Sequence, residues 1–535
     1  MRHLPALALL LILTALAWWL PNREQAGEVP LPTDRFNSVS FAPFRPGQSP
    51  LRGVFPSAAE VEADMALVAP RVRAIRTYAA LEGDYDIAAI AARHGLKLWA
   101  GAWLGQDARR NAAELAQLIE TARRHPGTVE RVVVGNEVLL RRDLPPAALI
   151  AALDRVKAAV AQPVTYADVW EFWEQFPEVA RHVDVITIHI LPYWEDRPTN
   201  VEGSMAHARA VLARMRALFP GKPIAIGEVG WPSRGRWRAD AAPSRVEQAV
   251  FLRRFIALAE AEKLDYNLIE AFDQDWKYKS EGTVGAAWGL WTAAREAKFP
   301  LHGPVRENPC WGWYAAAAAA LGLGLWAAAG RAMPGLAFAL GNALAFAWCG
   351  TVPYAFDIHL GLAAAVNLAG QGVLAVLLLR RAARGEGLSR GAGPAGSAGA
   401  LARLRVALRG RLDWRGWRGW AFEDLCAWFL FAALVLQLLL VFDPRYRDFP
   451  FAAFAVPLVV VAARAWRGDW PGHWPGKAEG WIGGSLALAA LAGAALEGPA
   501  NLEALGWSAC ALLLAAPALS PAIARRLGTP RPAGP

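Results

Sequence analysis

The chain has 535 residues, of which 55% are hydrophobic, and carries a formal net charge of +9. Its length exceeds that of one ordinary domain, and its apolar content excludes a wholly soluble protein. Residues 380–421 hold ten arginines against only Glu386 and Asp413, so this segment contains nearly all of the excess positive charge. Because the segment lies between two apolar stretches, we interpret it as a cytoplasmic loop and expect no nucleic-acid partner.

The N-terminal segment, residues 1–20, begins with the basic residue Arg2 and continues as an apolar run long enough to cross a bilayer. No small-x-small cleavage motif follows this run, which favours a retained signal anchor or transmembrane helix over a cleaved signal peptide. Under either interpretation, the chain that follows is exported. We interpret residues 21–35 as a linker.

Residues 36–305 have a soluble composition and alternate short β-rich runs with Ala-rich helical stretches. Eight strand–helix units over this length predict a (β/α)8 TIM barrel. A doubly wound open sheet is the competing fold, but no Gly-rich phosphate loop follows the first strand. The β-rich runs lie at residues 37–44, 74–79, 96–103, 131–137, 163–169, 184–194, 223–231 and 266–276.

Residues 306–525 predict an all-α transmembrane bundle of about seven helices. If residue 310 is exported, the arginine-rich loop at 380–421 and the tail at 526–535 both fall on the cytoplasmic side. Residues 496–503, with two glutamates and no basic residue, then fall outside. We therefore predict eight spans with both termini cytoplasmic. The seven apolar segments of the bundle are 311–329, 333–353, 358–379, 424–442, 449–463, 481–496 and 503–523.

Two glutamates stand where predicted barrel strands end. Glu137 follows the fourth strand, and Glu228 ends the seventh. Catalytic groups of TIM barrels collect at this end of the strands, and a buried strand-end carboxyl is costly to desolvate without a polar cleft or a partner. Glycoside hydrolysis needs such a pair, with one carboxylic acid as proton donor and one carboxylate as nucleophile or base. A strand-end salt bridge or a helix cap is the alternative explanation for either glutamate alone.

The residues around both glutamates resemble a known family. Val134-Gly135-Asn136-Glu137-Val138 and residues 226–233, Ile-Gly-Glu-Val-Gly-Trp-Pro-Ser, are similar to the acid/base and nucleophile motifs of glycoside hydrolase family 17, the β-1,3-glucanases. The resemblance implies a (β/α)8 fold, a retaining double displacement, β-1,3-linked glucan as substrate, and no metal or organic cofactor. It also implies Glu137 as acid/base and Glu228 as nucleophile.

The resemblance extends to substrate-binding positions. Asn136 would hydrogen-bond the sugar 2-hydroxyl, and the indole faces of Trp194, Trp231 and Trp276 offer stacking surfaces for glucose rings. The tyrosines at 78 and 193 match cleft positions of the family, although packing at the barrel rim is an equal alternative for each. Gln274 stands where many members have a glutamate, and we expect this to alter the acceptor side. The substrate-binding positions predicted in full are Asn136, Tyr78, Tyr193, Trp194, Trp231, Glu270, Asp273, Trp276 and Lys277.

The motifs do not choose between hydrolysis and transglycosylation, because water and a sugar hydroxyl can both release the same covalent glucosyl-enzyme. The non-catalytic alternative is a β-glucan-binding subunit of a membrane synthesis or export complex. A processive nucleotide-sugar glycosyltransferase is disfavoured because its cytoplasmic domain and Asp-based metal motif are missing. The Ala, Arg, Gly and Trp bias is typical of a GC-rich bacterial genome. We therefore expect a bacterial inner-membrane protein with a periplasmic barrel, and predict the lipid bilayer and a membrane glucan synthase as partners.

Overall fold

A computed structural model describes residues 4–25, 31–352, 358–388, 414–468 and 477–526. The chain divides into two compact units. Glu24–Arg306 form one, and Met1–Arg23 together with Glu307–Pro535 form the other. Most of the predicted arginine-rich loop and nearly all of the predicted C-terminal tail lie outside the described residues.

The first unit contains eight strands, and the described helices are distributed over both units. The strands are β1 (Phe36–Ser40), β2 (Val72–Arg76), β3 (Lys97–Ala102), β4 (Val129–Asn136), β5 (Val164–Val169), β6 (Val185–Ile190), β7 (Ile224–Val229) and β8 (Asp265–Leu268). The helices are α1 (Leu4–Trp19), α2 (Ala58–Val68), α3 (Ile87–Arg93), α4 (Ala108–Arg124), α5 (Pro146–Lys157), α6 (Trp170–Gln175), α7 (Val201–Leu218), α8 (Arg245–Glu262), α9 (Tyr278–Gly285), α10 (Trp311–Ala328), α11 (Pro334–Thr351), α12 (Ile358–Ala383), α13 (Trp414–Phe442), α14 (Ala455–Trp466), α15 (Lys477–Glu497) and α16 (Leu502–Arg526).

The eight strands pair in parallel, in sequence order, and close into a barrel. Each of the eight predicted β-rich runs overlaps one of these strands. The predicted TIM barrel is therefore confirmed, and the open-sheet alternative is excluded. In this fold the C-terminal ends of all strands meet at one mouth, which is where strand-end side chains converge.

Five of the outer helices, α2, α3, α4, α7 and α8, begin at side-chain caps, and the helices bury an apolar face against the strands. Ser57 and Glu60 form a reciprocal capping box at the start of α2, which satisfies backbone N–H groups that have no partner within the helix. In α4, Leu115, Leu118 and Ala122 are buried at helical spacing. The main core accordingly lies between the strand ring and the helix ring.

The barrel interior holds a second, smaller cluster. Its buried members are Ala74, Trp99, Val133, Ala167 and Ala225, one from each of five strands. Because side chains alternate between the two faces of a strand, these residues mark the inward positions. Arg76 and Gly227 lie two residues beyond the inward-facing Ala74 and Ala225. They therefore occupy inward positions near the mouth.

The barrel closes between β1 and β8, and side chains strengthen this junction. The ladder registers Val39 opposite Leu268. Asn267 accepts a hydrogen bond from Ser38 Oγ at 2.7 Å and donates to Ser40 Oγ at 2.8 Å and to Gly227 O at 2.9 Å. All three side chains are buried, so the junction depends on polar groups that water cannot replace.

The chain enters and leaves the barrel unit at one place. Gln25 and Val305 form an antiparallel bridge, with both backbone hydrogen bonds 2.9 Å long. Their main chains are thus adjacent at the boundary of the unit.

The second unit is helical, and each of the seven predicted apolar segments overlaps a helix. Among the described residues, five helices are long and apolar enough to cross a membrane: Leu4–Asn22, Leu360–Ala383, Ala421–Phe442, Ala478–Glu497 and Leu502–Leu519. The 18-residue helices α10 and α11 and the 12-residue α14 are not among them, so the number of spans stays a prediction. Polar side chains join helices inside the unit. Trp507 Nε1 donates to Gln437 Oε1 at 2.6 Å, and Trp18 Nε1 donates to Asn342 Oδ1 at 3.0 Å.

Candidate active site

The two predicted glutamates meet at the C-terminal mouth of the barrel. Glu137 is the first residue after β4, and Glu228 lies near the end of β7. One carboxylate oxygen of each, together with a ring nitrogen of His189, lie within 4.8 Å of one another. The Glu137 side chain is 22% exposed and that of Glu228 is 6% exposed. Glu137 can therefore exchange protons with solvent, whereas Glu228 is held inside the barrel.

The backbone at the end of β4 is locally unusual. Gly135 has φ +86°, and a Cβ there would lie 2.7 Å from Val138 Cγ2, so glycine suits this position. Glu137 itself has φ +51°, a left-handed conformation that is uncommon for a residue with a side chain. Its amide still donates to Ala167 O at 2.8 Å, which keeps it attached to β5. The surroundings of Glu137 must therefore hold it in this conformation.

Arg76 joins Glu228 and Asn136 by hydrogen bonds from within the barrel. It is fully buried at the end of β2 and donates to Glu228 Oε1 at 3.2 Å, Gly227 O at 2.6 Å and Asn136 Oδ1 at 2.6 Å. Its guanidinium compensates the charge of Glu228 and orients Asn136 from the same planar group.

His189 connects the two glutamates. It is fully buried on β6, with Nδ1 3.1 Å from Glu137 Oε1 and Nε2 3.7 Å from Glu228 Oε1. The imidazole fits against β7 because Gly227 has no side chain; a Cβ there would lie 3.0 Å from His189 Cδ2. The ring therefore sets the spacing of the two carboxyl groups.

The electrostatics of Glu137 balance two opposing effects. Burial alone would raise its pKa, but the hydrogen bond with His189 and the charges of His189, Arg141 and Arg76 outweigh burial and hold the pKa below its ordinary value. Glu137 is therefore mainly ionised in the free site at neutral pH. Donation of its proton must then be favoured by acidic conditions or by a bound substrate.

Glu137, His189 and Glu228 also form a geometry that divalent ions accept. The neighbouring Arg76 guanidinium already supplies positive charge to Glu228 at 3.2 Å, which opposes a second cation there.

Two predicted substrate-binding residues lie beside the glutamates. Asn136 is buried at the end of β4, with its carbonyl oxygen held by Arg76, so its amide nitrogen is the group oriented for a ligand. Tyr78 is partly exposed, and its hydroxyl donates to Ser40 Oγ at 2.9 Å. Burial strongly raises the pKa of Tyr78, so it stays a neutral donor.

The predicted aromatic contacts divide into buried and accessible residues. Tyr193 and Trp231 are buried, donating to Arg236 O at 2.6 Å and to Ala242 O at 3.0 Å. These bonds and the packing around Trp231 leave its ring no open face. Its burial is incompatible with the predicted stacking on a sugar ring. Trp194 and Trp276 remain partly exposed, and their substrate-binding roles stay predictions.

The segment after β8 contains a buried ion pair. Glu270 is fully buried and accepts from Lys277 Nζ at 3.1 Å. Burial raises the pKa of Glu270 to about 7, although Lys277 opposes the shift. Asp273 instead pairs with the buried Lys298 at 2.6 Å, so it supports the loop and does not face an open cleft.

Gln274 has a structural role that its sequence position does not indicate. Its side-chain nitrogen donates to Ala42 O at 2.7 Å and to Phe272 O at 3.0 Å, and its oxygen accepts from Trp276 Nε1 at 2.8 Å. A glutamate in the ionised form could not make the two donations. The amide therefore joins the loops after β1 and β8, and the expectation that it acts as a missing charge on the acceptor side has no support in these contacts.

The sequence interpretation did not single out Arg76 or His189 as site residues. Each stands near the C-terminal end of a strand, the same signal that identified Glu137 and Glu228. A search for charged and titratable residues at strand ends would have identified both.

A closed parallel barrel with two carboxyl groups this close at its C-terminal mouth is the architecture of a TIM-barrel glycoside hydrolase. Residues 38–289 match the family described as the BtgE/BtgC glycoside hydrolase domain. The barrel is a glycoside hydrolase domain like those of family 17, and the chain is an enzyme of the hydrolase or transglycosylase kind.

Two curated proteins and one solved structure are similar to the barrel of this chain. A glucan 1,3-β-glucosidase of Schizosaccharomyces pombe is 27% identical over 256 residues, which cover 45% of this chain and 79% of that protein. A glucan 1,3-β-glucosidase of Saccharomyces cerevisiae is 23% identical over 272 residues, covering 46% and 87%. A solved family 17 β-1,3-glucanosyltransferase from Rhizomucor miehei is 22% identical and covers 50% of this chain and 97% of that chain, with a TM-score of 0.44.

Proposed function

We propose that the barrel acts on β-1,3-linked glucan by a retaining double displacement, with Glu137 as acid/base and Glu228 as nucleophile. The observation that carries the proposal is the pair of carboxylate oxygens within 4.8 Å at the barrel mouth. Retaining glycosidases keep their carboxyl groups roughly 5–5.5 Å apart, whereas inverting enzymes separate them by about 6.5–9.5 Å to accommodate a water. The glucan 1,3-β-glucosidase relatives support this substrate class.

In the first step, the Glu228 carboxylate attacks the anomeric carbon while the protonated Glu137 transfers its proton to the departing glycosidic oxygen. The products are a glycosyl ester on Glu228 and a shortened sugar. Arg76 lies 3.2 Å from the attacking carboxylate and orients it, and the Asn136 amide faces the position of the sugar 2-hydroxyl.

In the second step, the Glu137 carboxylate removes a proton from an incoming hydroxyl, which attacks the anomeric carbon and releases Glu228. Water as acceptor gives hydrolysis, and a sugar hydroxyl gives transglycosylation. Because an acceptor ring held next to the ester outcompetes water by its effective concentration, occupancy of the acceptor side decides the outcome. We propose transglycosylation alongside hydrolysis. In this proposal the acceptor sugar stacks on the indole ring of Trp276, which is partly exposed.

Replacement of each glutamate tests the assignment. In the full-length protein purified in detergent, Glu137→Gln and Glu228→Gln are each expected to lower kcat/KM for laminari-oligosaccharides by about 100-fold or more, because proton donation or nucleophilic attack is lost. Glu178→Gln, which removes an exposed carboxyl on the barrel surface, is the matched control and should retain activity. Wild-type activity in either active-site variant would contradict the proposal.

The products distinguish the two outcomes of the second step. With laminari-oligosaccharides at high concentration, mass spectrometry and linkage analysis are expected to find products longer than the substrate as well as shorter ones. Shorter products alone would establish plain hydrolysis. Binding without any turnover would instead favour the non-catalytic glucan-binding subunit.

We also propose a membrane location for the enzyme. Within the described ranges, five apolar helices have the length and composition to cross a bilayer, and the barrel is inserted between α1 and the later helices. With the arginine-rich segment on the cytoplasmic side, the barrel lies on the outer side of a bacterial inner membrane. A glucan synthase of the same membrane is the partner we predict, since it would deliver the polysaccharide to this side.

A further inference from the structure

We propose that Asp168 is a positioning residue for the acid/base, holding the turn that begins at Glu137 from the outer face of the neighbouring strand β5. The proposal rests on the assignment of Glu137 as acid/base given above. It concerns a buried carboxylate that does not belong to the catalytic pair.

The turn after β4 has backbone donors that it cannot satisfy itself. Arg141 N donates to Glu137 O at 2.9 Å, so the chain from Glu137 forms one helical turn. The first N–H groups of any helical turn point away from it and need acceptors from outside. Leu139 N and Leu140 N are two of these groups, and both donate to Asp168 Oδ2 at 3.3 Å.

Tyr166 completes the arrangement. Its hydroxyl donates to the same Asp168 oxygen and accepts from Leu139 N at 3.0 Å. The other oxygen, Asp168 Oδ1, accepts from Val169 N at 2.8 Å. Asp168 thus binds the turn through one oxygen and its own strand through the other, which fixes the turn relative to β5.

Asp168 reaches Glu137 from behind the cleft. Ala167 faces the barrel interior, so Tyr166 and Asp168, on either side of it, point to the outer face of β5. Tyr166 packs there against Trp173, with ring centroids 5.6 Å apart. Asp168 is fully buried and lies away from the sugar-binding mouth, so it acts on catalysis only through the turn it holds.

This contact matters because Glu137 has a left-handed backbone conformation, φ +51°, which needs external restraint. Gly135 N-terminal to it is flexible by nature, and the turn C-terminal to it is where restraint can act. Loss of the Asp168 contacts would allow the carboxyl of Glu137 to move relative to the glycosidic oxygen. A displacement on the order of 1 Å costs about 100-fold in rate when positioning limits the reaction.

The charged and titratable groups facing Asp168 come from three elements. Glu137 lies on the turn after β4, His189 lies on β6, and the Tyr166 hydroxyl comes from β5 itself, where it is in turn influenced by the charge of Arg141. Burial raises the pKa of Asp168 to about 6, against the lowering effect of the Tyr166 hydrogen bond. The carboxylate is therefore ionised at neutral pH and loses its charge only in mildly acidic solution.

The test compares two substrates that differ in their need for an acid. A laminari-oligosaccharide has a poor leaving group and requires protonation, whereas a 2,4-dinitrophenyl β-glycoside of the same sugar does not. In the full-length protein in detergent, Asp168→Asn is expected to lower kcat/KM about 10- to 100-fold for the oligosaccharide and less than about threefold for the aryl glycoside. Tyr166→Phe, which keeps the carboxylate and removes one hydroxyl, is expected to show a smaller loss with the same selectivity.

Two further variants make the result decisive. Asp184→Asn is the matched control, because Asp184 Oδ2 accepts from Val164 N at 2.9 Å at the opposite end of β5, and it should affect both substrates equally. Glu137→Gln is the reference for a lost acid. If Glu137→Gln is selective but Asp168→Asn and Tyr166→Phe are not, the positioning role is wrong. If Glu137→Gln itself shows no selectivity, the acid/base assignment fails and the positioning role fails with it.

Discussion

His189 has an electrostatic effect that a pH profile can measure. Its Nδ1 lies 3.1 Å from Glu137 Oε1, and this hydrogen bond contributes to the lowered pKa of Glu137. Under the proposed assignment, activity requires protonated Glu137, so the descending limb of kcat/KM against pH reports this pKa in the free enzyme. The enzyme is therefore expected to work best in acidic solution.

His189→Asn is expected to move that descending limb to higher pH. Removing a partner that favours the charged carboxylate raises the pKa of Glu137, so the acid stays protonated over a wider range. His207→Asn is the control, because His207 pairs with Glu195 at 3.0 Å outside the catalytic pair. A limb that stays in place or moves to lower pH would contradict this account of Glu137.

At the scale of elements, the junction between β1 and β8 depends on buried side chains. Asn267→Ala would remove the buried acceptor of Ser38 Oγ, whereas Gly227 O would keep its hydrogen bond from Arg76. Each unsatisfied buried group costs about 1–3 kcal/mol, so the thermal transition of the barrel is expected to fall clearly. Circular dichroism against temperature measures it.

Asn111→Ala provides the comparison for this variant. Asn111 is only partly buried and joins the first turn of α4 to the preceding loop, accepting from Gly105 N at 2.9 Å and donating to Gly105 O at 2.7 Å. If the two substitutions lower the thermal transition equally, the hydrogen bonds of the junction contribute no more to barrel stability than those of Asn111.

The barrel and its catalytic pair were predictable because both depend on local patterns. Strand–helix alternation indicated the fold, and the position of Glu137 and Glu228 after apolar runs indicated the mouth. Arg76, His189 and Asp168 act through contacts between different strands, and those contacts depend on register and on which face a side chain occupies. A one-residue difference in register would turn Asp168 inward, and no local pattern determines that. The burial of Trp231 likewise follows from packing that only the folded chain contains.

At the scale of the whole molecule, the orientation in the membrane is open to direct measurement. A phosphatase reporter that is active only in the periplasm is expected to work when fused after residue 305 and to be inactive when fused at residue 395. The reason is that arginine-rich segments stay on the cytoplasmic side. Fusion after residue 499, in the acidic segment predicted to lie outside, serves as a second positive control. Activity at 395 with inactivity at 305 would reverse the orientation and remove the proposed encounter with exported glucan.

The bridge between Gln25 and Val305 gives the barrel the character of an insertion. Its first and last residues are hydrogen-bonded neighbours, so the barrel interrupts the helical chain without separating the two points of attachment. The contacts of α1 with α10 and α11, including Trp18 with Asn342, belong wholly to the helical unit. A domain whose ends are adjacent can be acquired, exchanged or lost in one event without reordering its host. The helical unit therefore has the connectivity of a separate protein that received a glycoside hydrolase between its first and second helices.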